Sequence, residues 1–270
     1  MAEFVTLQDF VGRGRRLFVL TGAGCSTGSG IPCYRDAEGE WKRAAPVTYQ
    51  AFMGAEAIRQ RYWARSLLGW PRFSRARPND AHRALASLEA VGGSEILLTQ
   101  NVDRLHQAAG SSRVIDLHGR LDLVRCMGCE ARVSREEVQD ELGRLNAGWR
   151  DLDAADAPDG DADLENADFS AFRTPFCRRC GGIVKPDVVF FGENVPRERF
   201  DAAARHLEQA DAMLIVGSSL KVHSGFRFAE MAAAAGKPLA AVNLGRTRAD
   251  GLLTLKVEQA CEAALAFLMR

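Results

Sequence analysis

Six short apolar runs, spaced along the chain and separated by helical stretches, constrain the fold more than any other feature. They are Leu17–Thr21, Ile96–Thr99, Val114–Leu117, Val188–Phe191, Met213–Val216 and Leu239–Val242. Runs this short and this apolar read as strands buried on both faces. The helices expected between or after them are Ala81–Ala90, Arg197–Gln209, Phe226–Ala235 and Gln259–Met269. Strands alternating with helices predict an α/β fold with a parallel sheet covered on both sides. Two stretches break the rhythm. Residues 41–77 read as helical and include Tyr62, Trp63 and Trp70, while residues 120–185 hold two CxxC pairs and an acidic segment.

Bulk properties exclude several function classes. Acidic and basic residues balance at 35 each, so there is no electrostatic footprint for general nucleic-acid binding. No apolar run approaches the roughly 18 residues of a membrane span. The opening Met1-Ala2-Glu3-Phe4 lacks a signal-peptide layout, and a cytoplasmic location is expected. Seven cysteines, four of them in CxxC pairs, fit a metal-binding protein better than a disulfide scaffold.

Those pairs are Cys126-Met127-Gly128-Cys129 and Cys177-Arg178-Arg179-Cys180. Two thiolates separated by two residues can face one ion, and two such pairs close a tetrahedral site with no open position. One structural Zn²⁺ is expected there. Such an ion does no chemistry on a substrate, so the function must lie elsewhere. Between the pairs, Asp151–Asp168 carries eight acidic residues and no Lys or Arg, and reads as a solvated loop.

The chemistry-bearing residues gather at strand ends, where open α/β sheets bind ligands. After the first strand comes GAGCSTGSGIPCYR, Gly22–Arg35, whose small residues are expected to bring bare backbone N–H groups to a diphosphate. Its GxGxxxG spacing is not the dehydrogenase fingerprint, and no acidic residue closes a second strand about 20 residues on. Ordinary hydride transfer is therefore disfavoured. Gln100-Asn101-Val102-Asp103-Arg104-Leu105-His106 follows the second strand and Asp116-Leu117-His118-Gly119 the third. Gly217-Ser218-Ser219 and Asn243-Leu244-Gly245 follow later ones. Asn101 or Asp103 could equally cap a short helix. His118 has the near-neutral titration range of a general base.

Taken in order, GAGCS, GIPCYR, QNVD, LHG, the paired CxxC, KPDVVFFGE, GSSL and NLG resemble the sirtuins, NAD-dependent protein deacylases, over nearly the whole chain. Arg61-Tyr62-Trp63-Ala64-Arg65, Gly69-Trp70-Pro71 and the acidic insertion look closest to the family's class II group. The resemblance implies a Rossmann-like parallel-sheet domain made of residues 1–40, 78–119 and 186–270. It also implies a smaller domain, 41–77 and 120–185, combining a helical segment with the Cys₄ zinc module, and NAD as co-substrate between the two.

Carried over residue by residue, Gly22, Ala23, Gly24 and Ser26 would contact the phosphates, and Tyr34 and Arg35 would cover the cofactor. Ile31, Asn101 and Asp103 would hold the nicotinamide end, and Gln100 the ribose. Gly217, Ser218, Asn243, Gly245 and Cys261 would line the adenosine pocket. Val189, Phe191 and Gly192 would pair with the substrate backbone as an added strand. In the implied mechanism nicotinamide departs, the acyl-lysine oxygen captures the ribose, and His118 acts as general base, with Asn101 also in the catalytic set. Products would be free lysine, nicotinamide and O-acyl-ADP-ribose, and the partners acylated-lysine proteins or peptides. The alternatives are transfer of ADP-ribose to a protein from the same site, and a catalytically weak NAD-binding interaction protein. Cys33 stands where the family has an acidic residue, Tyr34 where it has Phe, and Ser224-Gly225 where many relatives have Pro. Tyr62 and Arg65, three apart on one helix face, resemble the Y-x-x-R pair of the sirtuins that remove acidic acyl groups; the alternative is a surface Arg65 beside a Tyr62 that packs in the core.

Overall fold

Strand alternation along the chain becomes one parallel sheet. In the computed structural model the described residues are 6–12, 16–32, 46–149, 155–156, 162–164 and 167–269. Cys33, Tyr34 and Arg35, and most of Asp151–Asp168, lie outside them. In chain order the described strands are β1 (Leu17–Thr21), β2 (Ser94–Thr99), β3 (Val114–Asp116), β4 (Gly119–Cys126), β5 (Arg132–Ser134), β6 (Ala155–Asp156), β7 (Ala162–Asp163), β8 (Val184–Val188), β9 (Ala212–Val216), β10 (Leu239–Val242) and β11 (Leu255–Val257). They belong to two compact units. The first comprises Met1–Arg43, Arg77–Leu117 and Val195–Arg270, the second Ala44–Ala76 and His118–Asn194.

The first unit holds a six-stranded sheet in the order β11-β10-β9-β1-β2-β3, with every pairing parallel. Side chains alternate between its faces, as the pleat requires. Leu17 and Val19 of β1, Leu97 of β2, Leu214 and Val216 of β9, and Ala240 and Val242 of β10 enter one core. Phe18 and Leu20, Ile96 and Leu98, Met213 and Ile215, and Leu239 and Ala241 enter the other. The first core is closed by the helices Leu7–Val11, Asp80–Ala90 and Cys261–Leu265, the second by Arg197–Gln209 and His223–Ala234. Covered on both faces, β1, β2, β9 and β10 contain no exposed residue, which is why they read as largely apolar runs. The chain winds outward from β1 through β2 to β3, then restarts at β9 on the other side. The switch point therefore lies between β1 and β9, where open sheets form a ligand crevice.

The second unit is organised differently. Its sheet is antiparallel, in the order β5-β4-β8. Here the sequence expectation of a strand at Val188–Phe191 is corrected: the strand is Val184–Val188, and it pairs with β4 rather than with the parallel sheet. Pro186 is tolerated because β8 is an edge strand. The residues 186–194 accordingly fall in this unit. The helical segment resolves into Tyr49–Gly54 and Glu56–Phe73. Pro71 lies inside the longer helix and has no N–H to donate to Leu67. The Leu67 carbonyl instead accepts from Gln139 Nε2 at 2.8 Å. Arg135 is fully buried, donates from Nη2 to the carbonyl and hydroxyl of Ser66, and lies over the rings of Trp63 and Trp70. Both side chains come from the helix Arg135–Leu145, whose Ser134 cap and Glu137 are the S-x-x-E start signal present in the sequence.

Among the described residues no helix is long and apolar enough to cross a membrane.

Candidate functional site

In the first unit, the loops that follow β1, β2 and β9 meet at the switch point. Gly22 N–H donates to Val216 O at 3.1 Å and Gly24 N–H to Gly217 O at 2.8 Å. A Cβ on Gly24 would sit 2.9 Å from Gly217 O, and one on Gly217, where φ is +61°, would strike Cys25 N at 2.2 Å. The small residues are thus required first for loop-on-loop packing. The N–H groups of Cys25 and Ser26 are committed as well, to Gly22 O and Ala23 O. This corrects the picture of a row of bare N–H groups: four of them serve the fold.

Side-chain polarity is concentrated beside this loop. Ser26 Oγ donates to Asp103 Oδ2 at 2.7 Å, and Asn101 Nδ2 donates to Ser26 Oγ and Gly22 O, both at 3.0 Å. The helix-cap reading of Asp103 also holds in part, since its Oδ1 accepts from Leu105 N–H at 2.9 Å. Burial pushes the Asp103 carboxyl above the usual carboxylate range, and the bonds from Leu105 and Ser26 pull it back. Gln100 Nε2 donates to Ser218 Oγ at 2.6 Å, tying the β2 loop to the β9 loop. Ile31 is buried, and Cys261 Sγ lies 3.7 Å from Gly24 O. Asn243 and Gly245 sit together past β10, where Asn243 Nδ2 donates to the Leu244 and Gly245 carbonyls. Gly22, Ala23, Gly24, Ser26, Ile31, Gln100, Asn101, Asp103, Gly217, Ser218, Asn243, Gly245 and Cys261 therefore all belong to this one unit.

Arg104 lies in the candidate segment after β2, but sequence reasoning gives it no role. It adopts a left-handed φ of +65° at the end of the β2 loop, and its guanidinium pairs with Asp116. Asn79 and His82 were missed too. Asn79 caps Asp80–Ala90, its Oδ1 accepting from the Ala81 and His82 N–H groups at 3.0 and 3.3 Å, and its Nδ2 donates to Cys25 O at 2.9 Å. Asn three residues before His, ahead of an apolar helical pattern, was the available signal.

The second unit supplies His118, half-buried, in the turn before β4. Its carbonyl accepts from Val189 N–H at 2.7 Å. Gly119 has a φ of +85°, and a Cβ there would meet Asp187 O at 2.1 Å, so only glycine lets β4 start this close to β8. Past β8, Phe191 O accepts from Tyr49 N–H at 2.8 Å and Gly192 O from Gln50 Nε2 at 2.9 Å. Tyr62 is buried in an aromatic group, edge-on to Phe52 at 5.3 Å and tilted against Phe190 at 5.4 Å. Arg65 is half-buried on the same helix.

Lys185 and Glu193 explain the rest of KPDVVFFGE. Lys185 is buried, its Nζ donates to Glu193 Oε2 at 3.0 Å and to the Val188 carbonyl, and it lies 4.6 Å from the Phe190 ring centroid. Glu193 Oε2 also accepts from Phe190 N–H at 2.9 Å. The pair folds Val189–Gly192 into a fixed loop. Glu193→Gln keeps the shape but leaves a buried ammonium uncompensated. We expect a loss of about 3 kcal/mol in urea unfolding, at the low end for a broken buried pair because Glu193 is partly exposed. A change under about 0.5 kcal/mol would show that the carbonyls alone hold Lys185.

The four expected metal ligands converge. Cys126 Sγ and Cys180 Sγ are 3.5 Å apart, Cys129 Sγ and Cys177 Sγ 3.7 Å, and all four sulfurs lie within 4.8 Å of one another. Four thiolates at about 2.3 Å from one zinc would be about 3.8 Å apart, so the donor set fits a closed tetrahedral zinc site. The N–H groups of Cys129 and Gly128 point at Cys126 Sγ and draw its thiol down to about 6.

A doubly wound Rossmann-type sheet, polar at its switch point, together with a Cys₄ module defines the class of protein. The Sir2 family matches residues 22–224. The chain belongs to the Sir2, or sirtuin, family. It is 72% identical to the NAD-dependent protein deacetylase 2 of Bradyrhizobium diazoefficiens, over 98% of this chain and 97% of that one. It is 69% identical to an NAD-dependent protein deacetylase of Xanthomonas campestris pv. campestris, over 98% of this chain and 90% of the relative. Among solved structures it resembles a Sir2 complex with a p53 peptide and NAD⁺, with a TM-score of 0.77 and 32% identity, covering 97% of this chain and 95% of that one. A Sir2 homologue bound to NAD gives a TM-score of 0.76 at 28% identity, over 100% of this chain and 94% of the other.

Proposed function

We propose that this chain is an NAD-dependent protein-lysine deacylase, transferring the acyl group from lysine to ADP-ribose with release of nicotinamide. The observation that carries the reading is the polar group at the switch point, Ser26, Asn101 and Asp103 bonded to one another and to the loop after β1. The helix cap accounts for Asp103 Oδ1, but not for the bond that its Oδ2 accepts from Ser26 or for Asn101 beside it. When bound, NAD supplies a positively charged nicotinamide leaving group and a ribose hydroxyl that receives the acyl group. Asn101 and Asp103 would hydrogen-bond the carboxamide end and Gln100 the ribose, Ser218 would line the adenosine pocket, and His118 would take the proton from the ribose hydroxyl. Val189, Phe191 and Gly192 would pair with the backbone of the peptide carrying the acyl-lysine. Its relatives' names as deacetylases support the same reading. Mass spectrometry of the NAD-derived product on an acetylated peptide tests it. O-acyl-ADP-ribose with free nicotinamide is expected, whereas ADP-ribose attached to protein overturns it in favour of transferase chemistry.

For the acyl group, we propose a preference for acidic or branched chains over acetyl. Tyr62 and Arg65 share one face of Glu56–Phe73, and a half-buried guanidinium suits a distal carboxylate. Succinyl, glutaryl and 3-hydroxy-3-methylglutaryl peptides should exceed acetyl by at least ~10-fold in kcat/KM, the worth of one charge-assisted hydrogen bond. Arg65→Met should erase that margin. Equal efficiency on acetyl and acidic groups, unchanged in Arg65→Met, sinks the proposal and leaves Tyr62 as packing alone.

A further inference from the structure

Beside the loop after β1 lies a group of donors that NAD binding and deacylation leave unexplained. Cys25, His82 and His106 are all buried, and one ligating atom from each lies within 4.8 Å of the others. The two imidazole rings are 4.7 Å apart, centroid to centroid.

Hydrogen bonds fix which nitrogen of each ring carries the proton. Because Asn79 Nδ2 donates to Cys25 O, its Oδ1 is the atom that faces His82 Nδ1 at 2.8 Å. An amide oxygen only accepts, so the hydrogen is on Nδ1 and the lone pair on Nε2. The backbone N–H of Asn79 also points at Nδ1, but from 3.3 Å, and the longer contact yields. Ser26 Oγ is 3.4 Å from His82 Nε2, yet it gives its proton to Asp103 at 2.7 Å. The second ring follows the same logic. Thr21 Oγ1 donates to Thr99 Oγ1 at 2.9 Å and so accepts from His106 Nε2, also at 2.9 Å. The His106 lone pair is then on Nδ1, a buried nitrogen with no hydrogen-bond partner among the described residues. Burial lowers both imidazoles, His82 to about 4 and His106 well below its ordinary value, so both are neutral near pH 7.

Neutral imidazoles whose outer N–H is donated to an oxygen, leaving the other nitrogen for a cation, are how metal-ligating histidines are held. We propose that Cys25, His82 and His106 form a second metal site, separate from the four-cysteine cluster, for a borderline-soft divalent cation of the zinc class. One sulfur and two nitrogens leave a fourth, open position. Binding balances as thiol plus Zn²⁺ giving a Zn–S bond and one released proton, with both imidazoles staying neutral.

The test is zinc stoichiometry in the full-length protein, measured by elemental analysis after dialysis against buffered free zinc. Wild type is expected to hold two ions per chain, and Cys25→Ala and His82→Gln one each. Substitution by Co²⁺ should show a second thiolate charge-transfer band, weaker than that of the Cys₄ site, as the second equivalent binds. One zinc per chain in wild type at saturating free zinc overturns the proposal. So do two in wild type and two in Cys25→Ala, which would put the extra ion elsewhere. If either variant fails to fold, the wild-type cobalt titration decides, and absence of a second thiolate band overturns the proposal.

Discussion

Replacing His118 with Ala is expected to lower turnover about 10²–10⁴-fold while leaving the fold and NAD affinity intact. The backbone contact of this position, its carbonyl accepting from Val189 N–H at 2.7 Å, is unchanged by the substitution. The tight start of β4 depends on Gly119 rather than on the imidazole. Loss of a general base removes a transition-state interaction, so kcat should fall and the affinity for NAD should not. Single-turnover kinetics on an acetylated peptide, calorimetric titration of NAD and near-ultraviolet circular dichroism separate these terms. Retention of more than about a tenth of wild-type turnover would place the base elsewhere and remove His118 from the reaction.

Legibility in the sequence followed burial geometry. β1, β2, β9 and β10 were readable because both faces are covered, so all but one residue is apolar or small; the exception, Glu95 at the start of β2, is paired with Arg16, Arg113 and His206. β8 was misplaced for the opposite reason. Its Lys185 and Asp187 break the apolar run although both are buried, whereas Phe190 and Phe191, just beyond the strand, look like strand interior. Lys185 is affordable inside only because Glu193 returns to it eight positions later, a pairing no local pattern announces. β4, β5 and the helix Arg135–Leu145 lay within a segment read as the zinc module, where cysteine spacing obscured the ordinary S-x-x-E helix start.

The candidate site divides along similar lines. Ser26, Asn101 and Asp103 were legible because strand ends are where a parallel sheet gathers polar groups, and they do bond to one another. The role of the glycines was only half legible. Gly24 reads as part of a phosphate loop and Gly217 as lining of an adenosine pocket, but their lack of side chains is also what lets two loops touch, and 2.8 Å of N–H to O contact consumes a donor assigned to the ligand. The pairing of His106 with His82 escaped notice because it exists only after the helix Asp80–Ala90 packs beside the β2 loop. Twenty-three intervening residues hide a 4.7 Å ring contact.

The second large effect is expected from the four-cysteine cluster. Cys177→Ser should unfold the second unit in the full-length chain while the parallel sheet of the first persists. Cys126 and Cys177 are members of the unit's own core, alongside Phe52, Trp63, Val124, Leu142 and Phe172. The sheet they anchor is small: β5 spans Arg132–Ser134 and β8 spans Val184–Val188. Metal binding joins the turn after β4 to the turn before β8, closing the loop between the two pairs, whose entropy the sheet alone must otherwise oppose. Structural zinc in finger peptides is worth about 10–16 kcal/mol, comparable to the whole 5–15 kcal/mol stability of an ordinary domain. Losing one thiolate therefore outweighs what the remaining packing can hold. Tryptophan emission reports the outcome directly, because Trp63, Trp70 and Trp149 all belong to this unit and the first two are buried. A red-shifted emission with retained far-ultraviolet signal from the first unit is expected, together with loss of the tightly held zinc. Unchanged emission and an unchanged urea midpoint would mean that aromatic packing around Trp63 and Arg135, rather than the metal, holds the unit together.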